Sequence, residues 1–253
     1  MASEIGVVVC GAKGKMGQTV QAAVEAEPDM RVVAAVDLDD DIRAALAAGG
    51  QVMVDFTAPG AAFDNAQAAL AAGIAPVVGT TGMSAEQVDE LARHADRSET
   101  GGAVIPNFAI GAVLMMRLAE IAAPYFEAAE VIEAHHAAKV DAPSGTALTT
   151  ARRLGAARRE AFAYNRPDKV TLDNTRGGEE ASVGVHSLRL PGLVADQEVV
   201  FGAQGQTLSI AHRTTSRDAF MPGVLATVRA VVRDRRFFRS LDDVLGLPPL
   251  EAG

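Results

Sequence analysis

Ile5-Gly6-Val7-Val8-Val9-Cys10-Gly11-Ala12-Lys13-Gly14-Lys15-Met16-Gly17 is the stretch whose reading decides the fold. Its first six residues form an apolar, β-branched run without alternation, the pattern of a strand covered on both faces. Its last seven place a glycine at every third position, just before an Ala-rich helical stretch at 16–26. A glycine turn between strand and helix lets backbone N–H groups approach a phosphate, and the helix N-terminus adds a favourable dipole. The spacing is G-x-x-G-x-x-G rather than G-x-G-x-x-G, so alone the turn also fits a plain strand–helix connection that binds nothing.

The neighbouring sequence repeats the rhythm. Short apolar runs at 31–36, 52–56, 75–78 and 103–105 alternate with helical stretches at 41–48, 61–72 and 85–96. Ser84 with Gln87 forms a capping-box pattern at the start of the last of these. Strands alternating with helices predict a doubly wound α/β domain on a parallel sheet. Asp37 ends the second strand, 20 positions past Gly17. An acid there accepts hydrogen bonds from the ribose hydroxyls of NAD. The plainer alternative is a solvated acid in the turn Asp37-Leu38-Asp39-Asp40-Asp41. Lys13 and Lys15 either face water or offset a 2′-phosphate, which keeps NADP open. Gly79-Thr80-Thr81-Gly82 follows the fourth strand, at the sheet edge where ligands of open α/β sheets bind.

After Pro106-Asn107-Phe108 the pattern changes. A helix is expected over 110–122, a strand over 129–136 and a helix from Ser144. Extended runs at 183–190, 196–202 and 206–213 predict an antiparallel meander, hence a second, α+β domain. The polar stretch 164–182 reads as a mobile loop, and 219–233 as a further helix.

Composition narrows the function. Of 253 residues 49% are hydrophobic, ample for buried cores. Lys and Arg number 23 against 32 Asp and Glu, a net charge of −9 that argues against a nucleic-acid or anionic-membrane surface. No apolar run approaches the length of a membrane span, and no signal peptide is visible. The lone cysteine, Cys10, excludes an internal disulfide and a Cys-rich zinc site, favours a reducing compartment, and reads as a small core residue.

Ionisable residues concentrate in Glu133-Ala134-His135-His136-Ala137-Ala138-Lys139-Val140-Asp141-Ala142-Pro143-Ser144-Gly145-Thr146-Ala147. Adjacent residues of a strand point to opposite faces, so His135 and His136 are expected to do different work. Imidazole suits proton donation near neutral pH, and lysine offers a compact charge for a carboxylate. Pro-Ser-Gly-Thr reads as a helix start whose N–H groups suit a second carboxylate; the plainer alternative is that His-His is a strand end and Pro-Ser-Gly-Thr an ordinary N-cap. Two adjacent histidines make a poor metal set, and no metal is expected.

This segment resembles the signature of the 4-hydroxy-tetrahydrodipicolinate (dihydrodipicolinate) reductase family. The glycine turn 11–17, Val78-Gly79-Thr80-Thr81-Gly82, Pro106-Asn107-Phe108-Ala109-Ile110-Gly111, and the segments 193–205 and 220–224 are also similar to that family, so the resemblance spans nearly the whole chain. It implies reduction of a cyclic unsaturated dicarboxylate by NADH, NADPH or both, in the diaminopimelate route to lysine. It implies His135 as proton donor and Lys139 as second catalytic residue, with His136, Ser144, Gly145 and Thr146 holding substrate. Gly11, Ala12, Lys13, Gly14, Lys15, Met16, Asp37, Gly79, Thr80, Thr81, Ile105, Pro106, Asn107 and Phe108 would line the cofactor. It further implies a Rossmann-type nucleotide domain of 1–107 with 218–253, an inserted α+β substrate and oligomerisation domain of 108–217 with a mixed sheet, hinges that permit closure, a homotetramer and a cytoplasmic location. Ala137 and Ala138 stand where many members carry bulkier or polar residues. Two competing readings are another two-domain NAD(P) dehydrogenase and a non-catalytic nucleotide sensor. The His-His-x-x-Lys pattern opposes the first, and the acidic balance with no helix-turn-helix pattern opposes the second.

Overall fold

The computed structural model describes residues 4–248. The chain divides into two compact units, one running through Ile110 and resuming over Phe220–Leu247, the other Gly111–Ala219 together with Pro248. Residues 249–253, at the end of the expected nucleotide domain, lie outside the described residues.

In the first unit β1 (Ile5–Cys10) is buried along its whole length. It pairs in parallel with β2 (Met30–Val36) on one side and β3 (Val52–Asp55) on the other. The sheet continues through β4 (Ala75–Val78) and β5 (Gly102–Val104) to Phe237–Phe238, β11 in chain order, giving β11-β5-β4-β3-β1-β2. Helices cover both faces. Val8 and Cys10 pack with Met53 against Ala45 and Leu46 of α2 (Ile42–Leu46) and Ala69 of α3 (Pro59–Ala71). Val78 packs between α3 and Leu91 and Ala95 of α4 (Ala85–Arg97). On the other face α1 (Lys15–Glu25) packs against α7 (Met221–Asp234), which also lies along β3, β4 and β5. This is the doubly wound arrangement the apolar runs predict, and the Ser84–Gln87 capping box is present. α3 begins two residues earlier than expected because Pro59 occupies its first turn, where a missing N–H costs nothing. Cys10 is buried, and burial first, then the nearby Asp55 charge, pushes its thiol up to about 12.

The second unit contains α5 (Ile110–Ala122), β6 (Ala128–His135), α6 (Gly145–Ala156), β7 (Gly178–Glu180), β8 (Val183–Arg189), β9 (Ala195–Ala203) and β10 (Gln206–His212). Its sheet runs β10-β9-β6-β8-β7. The expected antiparallel meander of three consecutive runs needs correction. β9 and β10 do form a hairpin, turning at Gly205 (φ 77°), but β6 separates β8 from β9, parallel to β8 and antiparallel to β9. The physical reason lies in β6, whose residues Ala129, Val131 and Glu133 are all buried, as suits a central strand. The connection from β6 to β8 carries α6, the crossover that parallel pairing requires. The polar stretch 164–182 holds β7 and is tied by Arg166–Glu179 and Arg176–Glu130 ion pairs rather than by apolar periodicity.

Val131, Val185, Val199 and Phe201 supply the core of this sheet, with Ala147, Ala151 and Leu154 of α6. Phe201 is fully buried, stacked on Phe126 at 5.3 Å and tilted against Phe162 at 6.4 Å. Phe201→Ala is therefore expected to cost about 3–5 kcal/mol, read from the urea midpoint. A cost below about 1 kcal/mol would show that the site collapses around the truncation.

Candidate active site

In the first unit, the predicted nucleotide-binding residues gather at the carboxyl ends of neighbouring strands. Gly11 and Ala12 follow β1, Asp37 follows β2, Gly79 to Thr81 follow β4, and Ile105 to Phe108 follow β5. Two glycines of the first loop are enforced by geometry. Gly11 has φ +79°, and a Cβ there would lie 2.6 Å from the Phe56 carbonyl oxygen. A Cβ on Gly17 would lie 2.1 Å from the Gly11 oxygen. Gly14 is the N-cap of α1 and supplies no side-chain cap, which leaves the helix mouth to a ligand. The Gly14 N–H bonds back to Gly11 O at 3.0 Å and closes the loop on itself.

Asp37 is joined to this loop directly. Its Oδ2 accepts the Lys13 backbone N–H at 2.7 Å, and its Oδ1 accepts the Leu38 N–H at 2.9 Å. These two bonds, Leu38 first, hold its carboxyl below the usual range, so it presents an acceptor beside the loop. Gly79 lies against the Phe56 ring, where a Cβ would come within 2.1 Å. Thr80 is held by a residue the sequence reading did not single out. Its hydroxyl donates to Asp55 Oδ1 at 2.8 Å, and that buried carboxylate also receives Thr57 N–H, the Thr57 hydroxyl and Asn65 Nδ2. Ile105 and Phe108 are buried, so they would meet a ligand through their backbone, whereas Pro106 is exposed. The glycine cradle, the uncapped helix mouth and the acid beside them fit the pyrophosphate and ribose of a dinucleotide.

The second cluster lies wholly in the second unit. Along β6 the buried row Ala129, Val131, Glu133 continues to His135, the last residue of the strand. Glu133 is fully buried. Arg189, at the end of β8, grips it with two N–H donors, Nη1 to Oε2 and Nη2 to Oε1, each at 2.8 Å. The Ser144 backbone N–H adds a bond to Oε1 at 3.1 Å, and His135 Nδ1 lies 2.5 Å from Oε2. Burial alone would raise the Glu133 carboxyl; hydrogen bonds from Arg189, Ser187 and His135 outweigh it and bring the pKa to about 2. For His135, burial lowers the pKa, Glu133 opposes that, and the Lys139 and Arg189 charges add to the lowering.

The same contacts draw in the remaining residues. Arg189 Nη2 also donates to the Asp141 carbonyl at 2.6 Å, and Asp141 Oδ1 accepts from Lys139 Nζ at 2.7 Å. Ser144 caps α6, its Oγ accepting the Ala147 N–H at 3.2 Å. In front of that helix start Gly145 is exposed, and a Cβ there would meet nothing within 4 Å. Thr146 follows in the first turn. His136 falls one residue past the strand and joins the group through a turn, its carbonyl accepting the Lys139 N–H at 3.1 Å. The two histidines occupy different settings because β6 ends at His135 and His136 lies in the turn that follows, so strand alternation does not apply to the pair. Together these groups form a tightly paired cluster in which an imidazole is aimed by a buried carboxylate, a setting suited to proton transfer. Among the described residues, no group of three or more His, Cys, Asp or Glu side chains is arranged to hold a metal ion.

Residues 5–108 match the family model "Dihydrodipicolinate reductase, N-terminus", and 111–245 match "Dihydrodipicolinate reductase, C-terminus". The chain belongs to the dihydrodipicolinate reductase family. It is 49% identical to the 4-hydroxy-tetrahydrodipicolinate reductase of Cutibacterium acnes, across 96% of this chain and 99% of that one. It is 42% identical to the enzyme of the same name from Thermosynechococcus vestitus, across 97% and 98%. The solved dipicolinate-bound dihydrodipicolinate reductase from Paenisporosarcina sp. TG-14 is 35% identical, covers 95% of this chain and 99% of its own, and superposes with a TM-score of 0.84. Like other dihydrodipicolinate reductases, the chain is an NAD(P)H-dependent oxidoreductase.

Glu133 and Arg189, which hold the His135 cluster together, are given no role by the residue types alone. One signal for Glu133 was present: an acid in a strand row otherwise made of Ala129 and Val131 demands a buried cation. For the nucleotide loop the glycine geometry gives a direct test. Gly17→Ala is expected to raise the NADH and NADPH dissociation constants by about tenfold or more while dipicolinate binding is retained. Unchanged nucleotide affinity by calorimetry would contradict the cradle.

Proposed function

We propose that the His135 cluster of the second unit carries the chemistry, with His135 as proton donor and Lys139 as the second catalytic residue. The chain catalyses the NAD(P)H-dependent reduction of 4-hydroxy-tetrahydrodipicolinate to tetrahydrodipicolinate in the diaminopimelate route to lysine. The observation that carries the residue assignment is the imidazole of His135 held by buried Glu133, with Lys139 and the α6 start attached to the same network.

In this reading the first unit holds the nucleotide. Gly11 to Met16 take the pyrophosphate, Asp37 the ribose, and Gly79 to Thr81 with 105–108 the nicotinamide end. The bound reduced nicotinamide supplies a hydride, which is the cofactor's own chemistry. The second unit takes the dicarboxylate, a ligand class matched by the dipicolinate of the Paenisporosarcina structure. Ser144, Gly145 and Thr146 offer one carboxylate the positive end of α6, and Lys139 with His136 meets the other side of the anion. Asp141 holds the Lys139 ammonium at 2.7 Å, so that charge is placed before substrate arrives. Reduction of a conjugated imine leaves negative charge on the ring, and His135 Nε2–H delivers the proton that quenches it. Fixed cations in the cluster lower the cost of that charge as it develops.

We further assign a homotetramer built through the sheet of the second unit. The face of that sheet opposite Val131 and Glu133 carries Ile132, Ala134 and Leu188, and Leu188 is 40% exposed. A cytoplasmic location suits an enzyme that draws on reduced nicotinamide. Among the described residues no helix is long and apolar enough to cross a membrane.

The decisive assay follows nicotinamide oxidation spectrophotometrically with the enzymatically generated cyclic precursor and NADH or NADPH. His135→Gln is expected to lower kcat by about 10²–10⁴-fold with nucleotide affinity retained. Wild-type kcat in that variant would remove His135 from the reaction, and no oxidation by the unaltered enzyme with either cofactor would overturn the activity itself.

A further inference from the structure

We propose that Glu133 and Arg189 act as a pair of positioning residues that fix which ring nitrogen of His135 delivers the proton and keep the imidazole a ready acid. The proposal rests on the reading of His135 as proton donor.

Glu133 receives Arg189 Nη1 and Nη2, the Ser144 N–H and the His135 ring, and is fully buried. A buried carboxylate gripped by a guanidinium is ionised and only accepts. The nitrogen 2.5 Å from its Oε2 therefore carries a hydrogen, so Nδ1 is N–H in both charge states of His135. Nε2 is left as the nitrogen that loses and regains the catalytic proton. The proton given to the product comes from Nε2 of the imidazolium, the neutral Nδ1–H tautomer remains, and solvent returns the proton after product leaves.

A carboxylate alone in this position would over-stabilise the imidazolium and weaken it as an acid. Arg189 offsets that charge with two parallel hydrogen bonds. The other groups facing the ring act in the same sense or are neutral. Lys139, on the turn after β6, favours the neutral imidazole; Asp141 is itself paired with Lys139; and α6 contributes the Ser144 N–H at the shared carboxylate. The balance leaves His135 below the ordinary histidine range, chiefly through burial. Glu133 thus orients the ring, and Arg189 limits how strongly it holds the proton.

The two halves of the pair should move the His135 titration in opposite directions. In the pH profile of kcat/KM, Glu133→Gln is expected to shift the limb due to His135 down by about one pH unit, because a negative neighbour is lost and Arg189 is left uncompensated. Arg189→Met is expected to shift it up by about the same amount. Both variants should lose about tenfold or more in kcat at neutral pH. Arg189→Lys, which keeps the charge but not the two-pronged grip, should give a smaller upward shift, and it carries the test if Arg189→Met does not fold. Unshifted limbs, or shifts in the same direction, would make the pair merely structural and overturn the proposal. His135→Gln separates the two claims. If it retains kcat and the limb, the donor reading fails; if it loses both while the Glu133 and Arg189 variants keep the wild-type limb, the donor reading stands and the pairing falls.

Discussion

The Glu133 carboxylate lies fully buried at the end of β6, between two N–H groups of Arg189, the Nδ1 of His135 and the backbone N–H of Ser144. A charge in that position is tolerable only because each of its acceptor sites is used. Removing one partner would leave the rest exposed to the full desolvation cost. That constraint propagates outward. It ties β8 to β6 at their carboxyl ends, anchors the start of α6 through Ser144, and aims the ring of His135. Through Arg189 it reaches the Asp141 carbonyl, and through Asp141 the ammonium of Lys139. One carboxylate thereby ties together the ends of β6 and β8, the start of α6 and the ring of His135.

The first unit solves a different problem with backbone instead of charge. Its glycine loop and uncapped helix mouth fit a pyrophosphate, for which the useful donors are backbone N–H groups. Gly11 and Gly17 stand where a Cβ would meet the carbonyl oxygens of Phe56 and Gly11, so the close turn that presents the helix mouth needs glycine at both positions. Buried acid appears here too, in Asp55, which holds Thr57, Asn65 and Thr80 around the ends of β3 and β4. In both units a satisfied buried carboxylate ties together segments at the ends of neighbouring strands. The acidic surplus of −9 belongs to the protein as a whole; in the His135 cluster Lys139 and Arg189 are each paired with a carboxylate, Asp141 and Glu133.

Much of this was legible in the sequence, for physical reasons that differ between the units. β1 reads directly as a buried strand because Val7, Val8 and Val9 leave no polar alternation. α1 follows because the glycine turn precedes it, and α6 because Ser144 is a true N-cap. The place of β6 between β8 and β9 was not legible, since strand order depends on contacts between distant segments and not on local pattern. β11 escaped notice because a two-residue strand, Phe237–Phe238, carries no periodicity. In the segment 133–147 the residue types of His135 and Lys139 suit proton transfer and anion binding, and the family resemblance supplies their expected roles. The Glu133–Arg189 pair does not, because its partners stand 56 positions apart and meet only through the parallel register of β6 and β8.

The central claim is that a buried ionised carboxylate dictates the proton state of His135. The most direct measurement is the pair of ¹⁵N chemical shifts of the His135 ring in the intact enzyme, followed from acid to alkaline pH. The account predicts that Nδ1 remains protonated throughout and that Nε2 alone titrates, with the pattern lost in Glu133→Gln. A neutral ring protonated at Nε2, or one indifferent to Glu133→Gln, would contradict it.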